Sequence, residues 1–139
     1  MLAYHEAQQN DCDDALLCDA DGNIAETSSA NLFFVRNGTL CTPKATGFLN
    51  GLTRQTVLTL AQELCLPIEQ GEYVMSDLLQ AQEVFICGTA VEIEPVARIG
   101  TQRYSVGDIT RKLIGAYGAH VRRNKSTVID ATRELTQIT

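Results

Sequence analysis

The order of apolar and polar residues in the first third of the chain predicts two β-hairpins. The turn of the first is Asp21-Gly22, and the turn of the second is Asn37-Gly38. These pairs suit two-residue hairpin turns because Gly adopts positive φ without strain and Asn or Asp tolerates it. The predicted strands that flank the turns are 15–20, 24–27, 32–36 and 39–42.

Helical periodicity marks two longer segments. Apolar residues recur near the helical period from Leu52 to Leu64 and again from Val106 to Val121. We expect the second helix to end at Arg122-Arg123, because two cations suit the negative end of a helix dipole. Residues 1–9 are also helix formers. No N-cap residue precedes them, so they resemble the later turns of a longer helix.

Shorter predicted elements complete a mixed α/β pattern. They are strands at 68–74, 83–87 and 91–98 and a single helical turn at 76–82. Because no internal repeat or linker divides the chain, we predict one α/β domain over residues 1–123, with a sheet built largely from hairpins and flanked by helices. Residues 124–139 are polar and rich in Thr, and we expect either a short helix or a polar tail there.

Composition narrows the class of protein. The chain has 139 residues, of which 45% are hydrophobic and 20% charged, as in one soluble globular domain. Its net charge of −6 argues against a general nucleic-acid binder. No apolar run approaches the ~18 residues of a membrane span. With no signal peptide at its start, the chain is expected to be cytoplasmic.

The cysteines and histidines do not predict a metal site. The chain has five Cys and two His, with no CxxC pair. Neither His5 nor His120 has an acidic or thiol residue at ligand spacing, so a Cys–His nucleophile is not expected either. Cys65 and Cys87 lie in apolar segments, and we predict that both thiols are buried and inert.

Glu26 begins the first of three segments that place small or polar residues between regular elements. It opens the run Glu26-Thr27-Ser28-Ser29-Ala30-Asn31 between two apolar strands. A carboxylate here is able to accept a charged hydrogen bond, for example from a protonated ring nitrogen. The competing interpretation is a solvent-exposed connection whose hydroxyls satisfy the turn backbone.

The other two segments are candidate anion sites. Asn50-Gly51-Leu52-Thr53-Arg54 opens the first long helix, where first-turn N–H groups and the helix dipole favour an anion. A nearby anion or carboxylate would explain Arg54, whose charge opposes the dipole there. The competing interpretation is an ordinary helix start capped by Asn50. Gly88-Thr89-Ala90 places N–H groups and a hydroxyl between two strands, and a plain hairpin turn explains it equally well.

In these same segments the sequence resembles the class IV, fold-type IV aminotransferases, which use pyridoxal phosphate. The matching stretches are AYHEAQQNDCDDALLCDADGNIAETSSANLFFVRNGTLCTP, GLTRQTVLTLAQEL and EVFICGTAVEIEPV. In order and spacing they resemble the C-terminal large domain of that family over roughly residues 1–121. The resemblance implies the D-amino acid aminotransferase-like fold, a hairpin-built pseudo-barrel flanked by helices. The Gly-Thr-Ala turn is most similar to that of the branched-chain amino acid aminotransferases.

The resemblance also implies roles for individual residues. Glu26 would pair with the pyridine nitrogen and keep the ring protonated as an electron sink. Leu52 and Thr53 would supply amides and a hydroxyl to the cofactor phosphate. Thr89 would reach the same phosphate, and the amides of Thr89 and Ala90 would face the substrate carboxylate. The family activity is transfer of an amino group from a branched-chain amino acid to a 2-oxo acid.

The family also requires a lysine that bonds to the cofactor and moves a proton between carbon centres. By family spacing that lysine, together with the small N-terminal domain, is expected upstream of Met1. The chain has three lysines, and Lys112 and Lys125 are expected to be solvated surface residues. Lys44 precedes the phosphate motif and is the one candidate for a substitute. We therefore expect no catalytic residue in this chain and no activity from the chain alone.

Two further functions stay open at this level. One is a non-catalytic binding or assembly protein that reuses the fold, and the other is a truncated gene product. The expected partners are an amino acid and a 2-oxo acid, with neither nucleic acid nor membrane. A second copy of the chain, or the missing N-terminal half supplied in trans, is expected to cover apolar surface left open by the absent domain.

Overall fold

The computed structural model describes residues 16–18, 22–27, 30–44, 51–88 and 92–138. Within these ranges it contains nine strands and three helices. In chain order they are β1 (Leu16–Cys18), β2 (Ile24–Thr27), β3 (Asn31–Arg36), β4 (Thr39–Pro43), α1 (Leu52–Glu63), β5 (Ile68–Gly71), α2 (Met75–Leu79), β6 (Glu83–Gly88), β7 (Glu92–Pro95), β8 (Arg98–Ile99), β9 (Gln102–Arg103) and α3 (Asp108–Ile138). The helix predicted at 1–9 lies outside the described residues.

The hairpin between β3 and β4 has the two-residue turn that the sequence predicts. Arg36 pairs with Thr39, and the residues between them, Asn37 and Gly38, have φ angles of 52° and 78°. Two positive φ angles characterise the turn whose twist matches that of the flanking strands. Strands β1 and β2 also pair antiparallel on either side of Gly22, whose φ is 82°. The hairpin of β3 and β4 is therefore confirmed with its turn. For the first hairpin the antiparallel pairing is confirmed, but Cys18 pairs with Ile24, so the connection is longer than the predicted two-residue turn, and Asp21 lies outside the described residues.

Strand β3 lies at the centre of a seven-stranded sheet. It pairs antiparallel with β2, β4 and β6, while β1 extends the sheet beyond β2 and β7 extends it beyond β6. Strand β5 joins β4 in parallel. Parallel neighbours need a crossover connection, and α1 provides it between these two strands. The remaining two strands, β8 and β9, form a separate small hairpin.

The central sheet is buried on both faces, because successive residues of β3 enter different apolar clusters. Leu32 and Phe34 belong to one cluster, and Phe33 and Val35 belong to the other. Burial on both faces explains why this strand is a continuous apolar run and not an alternating one. The first cluster continues into Tyr73, Leu78, Val84 and Ile86, and the second into Val57, Leu60, Ala61, Phe85 and Leu113.

The sequence predicts that helix α3 ends at Arg122-Arg123, but the helix extends beyond these residues. It continues to Ile138. No Gly or Pro occurs between Ala119 and the last residue, so nothing in the sequence breaks the helix there. The two arginines therefore lie inside the helix, and the dipole argument does not apply to them.

The start of α3 is capped by a side chain from the sheet. Oε1 of Glu83, the first residue of β6, accepts hydrogen bonds from the Thr110 N–H at 2.9 Å and the Thr110 hydroxyl at 2.7 Å. Both partners are buried. A carboxylate at this end of a helix also complements the helix dipole. Glu83 therefore fixes where α3 meets the sheet.

Candidate functional site

Two of the three candidate segments meet at Asn31, the first residue of β3. Glu26 lies opposite Asn31 in the β2–β3 pairing, and Cys87 lies opposite Asn31 in the β3–β6 pairing. Residues that face each other across antiparallel strands have Cα atoms about 4.5–5.5 Å apart. The sheet thus brings the Glu26 backbone and the end of β6 to the two sides of Asn31.

The Gly-Thr-Ala segment follows the end of β6 directly. Gly88 is the last residue of that strand and pairs with Glu92, the first residue of β7. Thr89 and Ala90 lie outside the described residues, so their roles stay predictions. Because β6 ends at Gly88, the connection that contains these two residues starts two positions beyond the Asn31–Cys87 pair.

The third segment reaches the same place through the N-cap of α1. Gly51 is that N-cap, and an ideal Cβ built on it would lie only 2.8 Å from Oδ1 of Asn31. The helix therefore begins with its backbone pressed against the Asn31 side chain. An Asn50 cap, the ordinary-helix-start interpretation of the sequence, is not what the helix uses.

The first turn of α1 presents polar backbone groups. Its first helical hydrogen bond runs from the Gln55 N–H to the Gly51 carbonyl at 3.1 Å, so the amides of Leu52 and Thr53 have no acceptor within the helix. The first turn holds no acidic residue. Thr53 is buried, whereas the Leu52 side chain is 81% exposed. Amides and the positive end of the helix dipole make this turn suited to an anion.

Arg54 anchors the same turn from below. Although charged, its side chain is only 2% exposed. Its Nη2 donates to the Pro43 carbonyl at 3.0 Å and to Oε1 of Gln70 at 3.1 Å, which ties α1 to the ends of β4 and β5. Both oxygens are uncharged, and Nε of Arg54 is buried with no hydrogen-bond partner among the described residues, so these two bonds satisfy only part of the guanidinium group. Burial lowers the pKa of Arg54, but an arginine stays charged in a protein.

The two cysteines for which a buried thiol was predicted differ in their exposure. Cys87 is fully buried in the second apolar cluster, and burial raises the pKa of its thiol to about 12. It is therefore a protonated, unreactive thiol at neutral pH. Cys65 is exposed, so that part of the prediction was wrong. It follows the last turn of α1 with a φ of 58° and points away from the core.

The lysines take different positions around the site. Lys44 directly follows β4, its N–H donates to the Gly71 carbonyl at 3.0 Å, and its side chain is exposed. Lys112 is exposed on α3, as expected, and Lys125 lies in α3 at a position whose side chain is not described. Lys44 therefore directly follows Pro43, whose carbonyl accepts a hydrogen bond from Arg54.

Sequence reasoning assigned no role to Asn31, although it ended one of the three segments. The available signal was a polar residue directly before the apolar run Leu32–Val35. Its importance becomes visible only when β2, β6 and α1 are all in place around it.

In the described part of the chain, no group of three or more His, Cys, Asp and Glu residues is arranged to hold a metal ion. None of the described helices is both long and apolar enough to cross a membrane.

Comparison with solved structures defines the class of protein. The chain superimposes on a branched-chain aminotransferase from Thermoproteus uzoniensis, solved with norvaline, with a TM-score of 0.82 and 37% identity over 84% of this chain and 39% of that one. It also superimposes on an aminotransferase from Brucella abortus bound to the cofactor PLP, with a TM-score of 0.81 and 31% identity over 84% of this chain and 42% of that one. The predicted fold, a mixed α/β sheet with flanking helices, is confirmed.

Sequence comparison then specifies the family. The amino-transferase class IV family profile matches residues 1–99. The branched-chain-amino-acid aminotransferase of Pseudomonas aeruginosa strain PAO1 is 36% identical over 120 residues, which are 84% of this chain and 39% of that protein. The chain belongs to the class IV aminotransferase family. It spans about two fifths of the length of these relatives.

Proposed function

We propose that this chain is the pyridoxal-phosphate-binding part of a branched-chain aminotransferase. The observation that carries the proposal is the meeting of three separate motif segments at Asn31, two through the sheet register and one through Gly51. Support for the cofactor comes from the relative solved with PLP, and support for the substrate class comes from the names of the relatives.

The residues at this place fit the proposed cofactor. The backbone at Gly51 lies so close to Asn31 that a Cβ would be 2.8 Å from its Oδ1, and the first turn of α1 begins there. In the proposal, Leu52 and Thr53 bind the phosphate through their amides, and Thr53 adds its hydroxyl. Thr89 reaches the same phosphate from the β6–β7 connection. Pyridoxal phosphate, when bound, supplies an electron sink for bond breaking at the substrate α-carbon.

Glu26 has a different role in the proposal from the phosphate-binding residues. Its carboxylate binds the protonated pyridine nitrogen and thereby holds the proton on the ring. The amides of Thr89 and Ala90 bind the carboxylate of the substrate. A branched-chain amino acid is the donor and a 2-oxo acid is the acceptor of the amino group.

The chain contributes only part of the reaction in this proposal. It covers 39% of the Pseudomonas relative. The resemblance assigns the bond to the cofactor to none of its three lysines. We propose that transamination needs residues outside these 139 positions and that the chain alone is inactive. Among the residues whose burial the structure describes, several large apolar side chains are markedly exposed, which supports association with a second copy or with the rest of the enzyme; they are Leu52, Leu64, Val74, Met75, Leu79, Val106 and Ile114.

The test is a titration of the 139-residue chain with pyridoxal phosphate, followed by absorbance. We expect saturable binding that Glu26→Gln weakens about tenfold or more, because a hydrogen bond between charged groups contributes ~1.5–3 kcal/mol. Glu83→Gln is the matched control, since it neutralises a buried carboxylate at the opposite end of β6. The control is expected to bind with unchanged affinity.

Two outcomes of this titration would contradict the proposal. The chain binds no pyridoxal phosphate, or Glu26→Gln and Glu83→Gln weaken binding equally. Borohydride reduction followed by peptide mapping tests whether a lysine of this chain bonds to the cofactor. We expect no labelled lysine, and a specific adduct at Lys44 would contradict the proposal that this lysine lies outside these 139 positions.

A further inference from the structure

We propose that Asn31 is a positioning residue for the phosphate of the ligand. Its side chain fixes how closely the Gly51 backbone approaches the sheet, and thereby where the first turn of α1 presents its N–H groups. The inference rests on the proposed function, because it names what holds the phosphate-binding turn in place.

Asn31 is held more firmly than most residues at the start of a strand. Its backbone pairs with Glu26 on one side and with Cys87 on the other, and its side chain is only 7% exposed. A buried side chain on a backbone that two neighbouring strands hold has little freedom to move. The atoms that it contacts therefore take their position from the sheet.

A larger residue at position 51 would displace either the Asn31 side chain or the turn. A Cβ at that position would lie 2.8 Å from Oδ1 of Asn31, closer than real Cβ atoms come to their neighbours. The φ and ψ of Gly51 are −62° and 152°, an extended conformation that other residues adopt as well. The glycine is thus required by the space next to Asn31, and not by its backbone angles.

The position of Gly51 determines the position of the whole first turn. Its carbonyl accepts the first helical hydrogen bond, from the Gln55 N–H, so a shift of Gly51 moves the amides of Leu52 and Thr53 with it. Arg54 holds the same turn from the side of β4 and β5. Asn31 restrains the turn from the start of β3, between the neighbouring strands β2 and β6, which contain Glu26 and Gly88.

The chemistry of the side chain matters as much as its volume. The amide of Asn31 is uncharged, so it restrains the turn without repelling an anion. A carboxylate of the same shape would place a negative charge beside the amides that receive the phosphate, and the two charges would repel each other. Asn31→Asp therefore changes the charge at this point while it conserves the packing volume.

The experiment compares pyridoxal phosphate with pyridoxal, which lacks the phosphate, on the 139-residue chain. Ligand-observed NMR measures both affinities, since it also detects weak binding. Asn31→Ala removes the side chain that limits the approach of Gly51, so we expect it to weaken binding of pyridoxal phosphate by about tenfold or more and to leave binding of pyridoxal unchanged. Asn31→Asp, which keeps the packing volume, isolates the effect of charge repulsion. Thr110→Val is the matched control: it removes a buried polar contact at the other end of β6 and should change neither affinity.

Gly51→Ala changes the same contact at the glycine, and it provides the test if the Asn31 variants do not fold. It should also weaken binding of pyridoxal phosphate and leave binding of pyridoxal unchanged. Equal losses for both ligands in the folded variants, or no loss, would overturn the role of Asn31 while the proposed function stands. Failure of the unmodified chain to bind pyridoxal phosphate would overturn both.

Discussion

Helix α1 is followed by a non-glycine residue in the left-handed conformation, Cys65. Cys65 occupies the position after the helix cap with a φ of 58°, where glycine is the usual residue. Its N–H donates to the Gln62 carbonyl and the N–H of Leu66 donates to the Ala61 carbonyl, both at 3.0 Å. These two bonds form the Schellman motif that ends many helices. The side chain of Cys65 therefore carries the strain of a left-handed conformation without a compensating contact in the core.

Cys65→Gly should stabilise the chain. Glycine adopts positive φ without the clash between Cβ and the following carbonyl, which costs roughly 1–2 kcal/mol in other residues, although its flexibility in the unfolded chain offsets part of the gain. We expect an increase of about 0.5–1 kcal/mol in the free energy of unfolding. Urea denaturation followed by circular dichroism measures it.

Cys65→Ala is the control for this substitution. Alanine also removes the exposed thiol but keeps a Cβ, so it should leave the free energy of unfolding nearly unchanged. If alanine stabilised the chain as much as glycine does, the left-handed backbone of Cys65 would not be the source of the effect.

Among the elements, α3 has the most specific attachment to the sheet. Gly107 precedes the helix, and a Cβ on it would overlap the Glu83 carboxyl group. The same carboxyl group accepts both hydrogen bonds from Thr110. The helix start therefore requires a residue without a side chain immediately before Asp108.

Gly107→Ala should destabilise the chain by displacing Glu83 from Thr110. Loss of a helix cap costs about 0.5–2 kcal/mol, and we expect a loss in this range in thermal or urea unfolding. Glu83→Ala should cost a similar amount. The double variant should cost much less than the sum of the two, because each single change removes the same hydrogen bonds.

Gly115→Ala is the matched control within the same helix. No atom lies within 4 Å of a Cβ at Gly115. Alanine there should therefore stabilise the helix by up to about 1 kcal/mol. Additive losses from Gly107→Ala and Glu83→Ala would show that the glycine does not act through the carboxylate.

At the scale of the whole molecule, the chain corresponds to about two fifths of its relatives. We predict that it forms an active enzyme with the part that it does not cover. Coexpression with the remaining N-terminal part of the Pseudomonas relative should allow conversion of leucine or valine with 2-oxoglutarate. The measurement is formation of glutamate, and the same mixture carrying Glu26→Gln in this chain is the control.

A well-folded mixture that produces no glutamate would contradict this prediction. Binding of pyridoxal phosphate without any activity in the mixture would favour the alternative of a non-catalytic protein that keeps the fold. The Glu26→Gln control separates true complementation from residual activity of the N-terminal part.

Local chemistry explains which parts of the fold the sequence predicts. The Asn37-Gly38 turn is encoded by two adjacent residues, and the crossover helix α1 by its apolar spacing. Cys65 and the continuation of α3 past Arg123 escaped prediction, because the first depends on a helix cap and the second on the absence of any helix-breaking signal.

The candidate site was harder to predict because its parts are distant in the chain. The three motif segments were visible one by one, and their order supported a family. Their convergence on Asn31, and the burial of Arg54 between β4 and β5, follow from strand pairing that no local pattern encodes. Sequence alone gave residue types for the site, and the fold supplied their arrangement.

The three partners of β3 also impose an order on folding. Its hairpin with β4 closes over two residues and is expected to form in about 1–10 μs. Its pairing with β6 must wait for closure of the long intervening chain, which carries α1, β5 and α2. The Asn31–Cys87 pair belongs to that late step. We therefore expect the turns and helices to form before the proposed ligand site, so that binding of pyridoxal phosphate would report completion of folding.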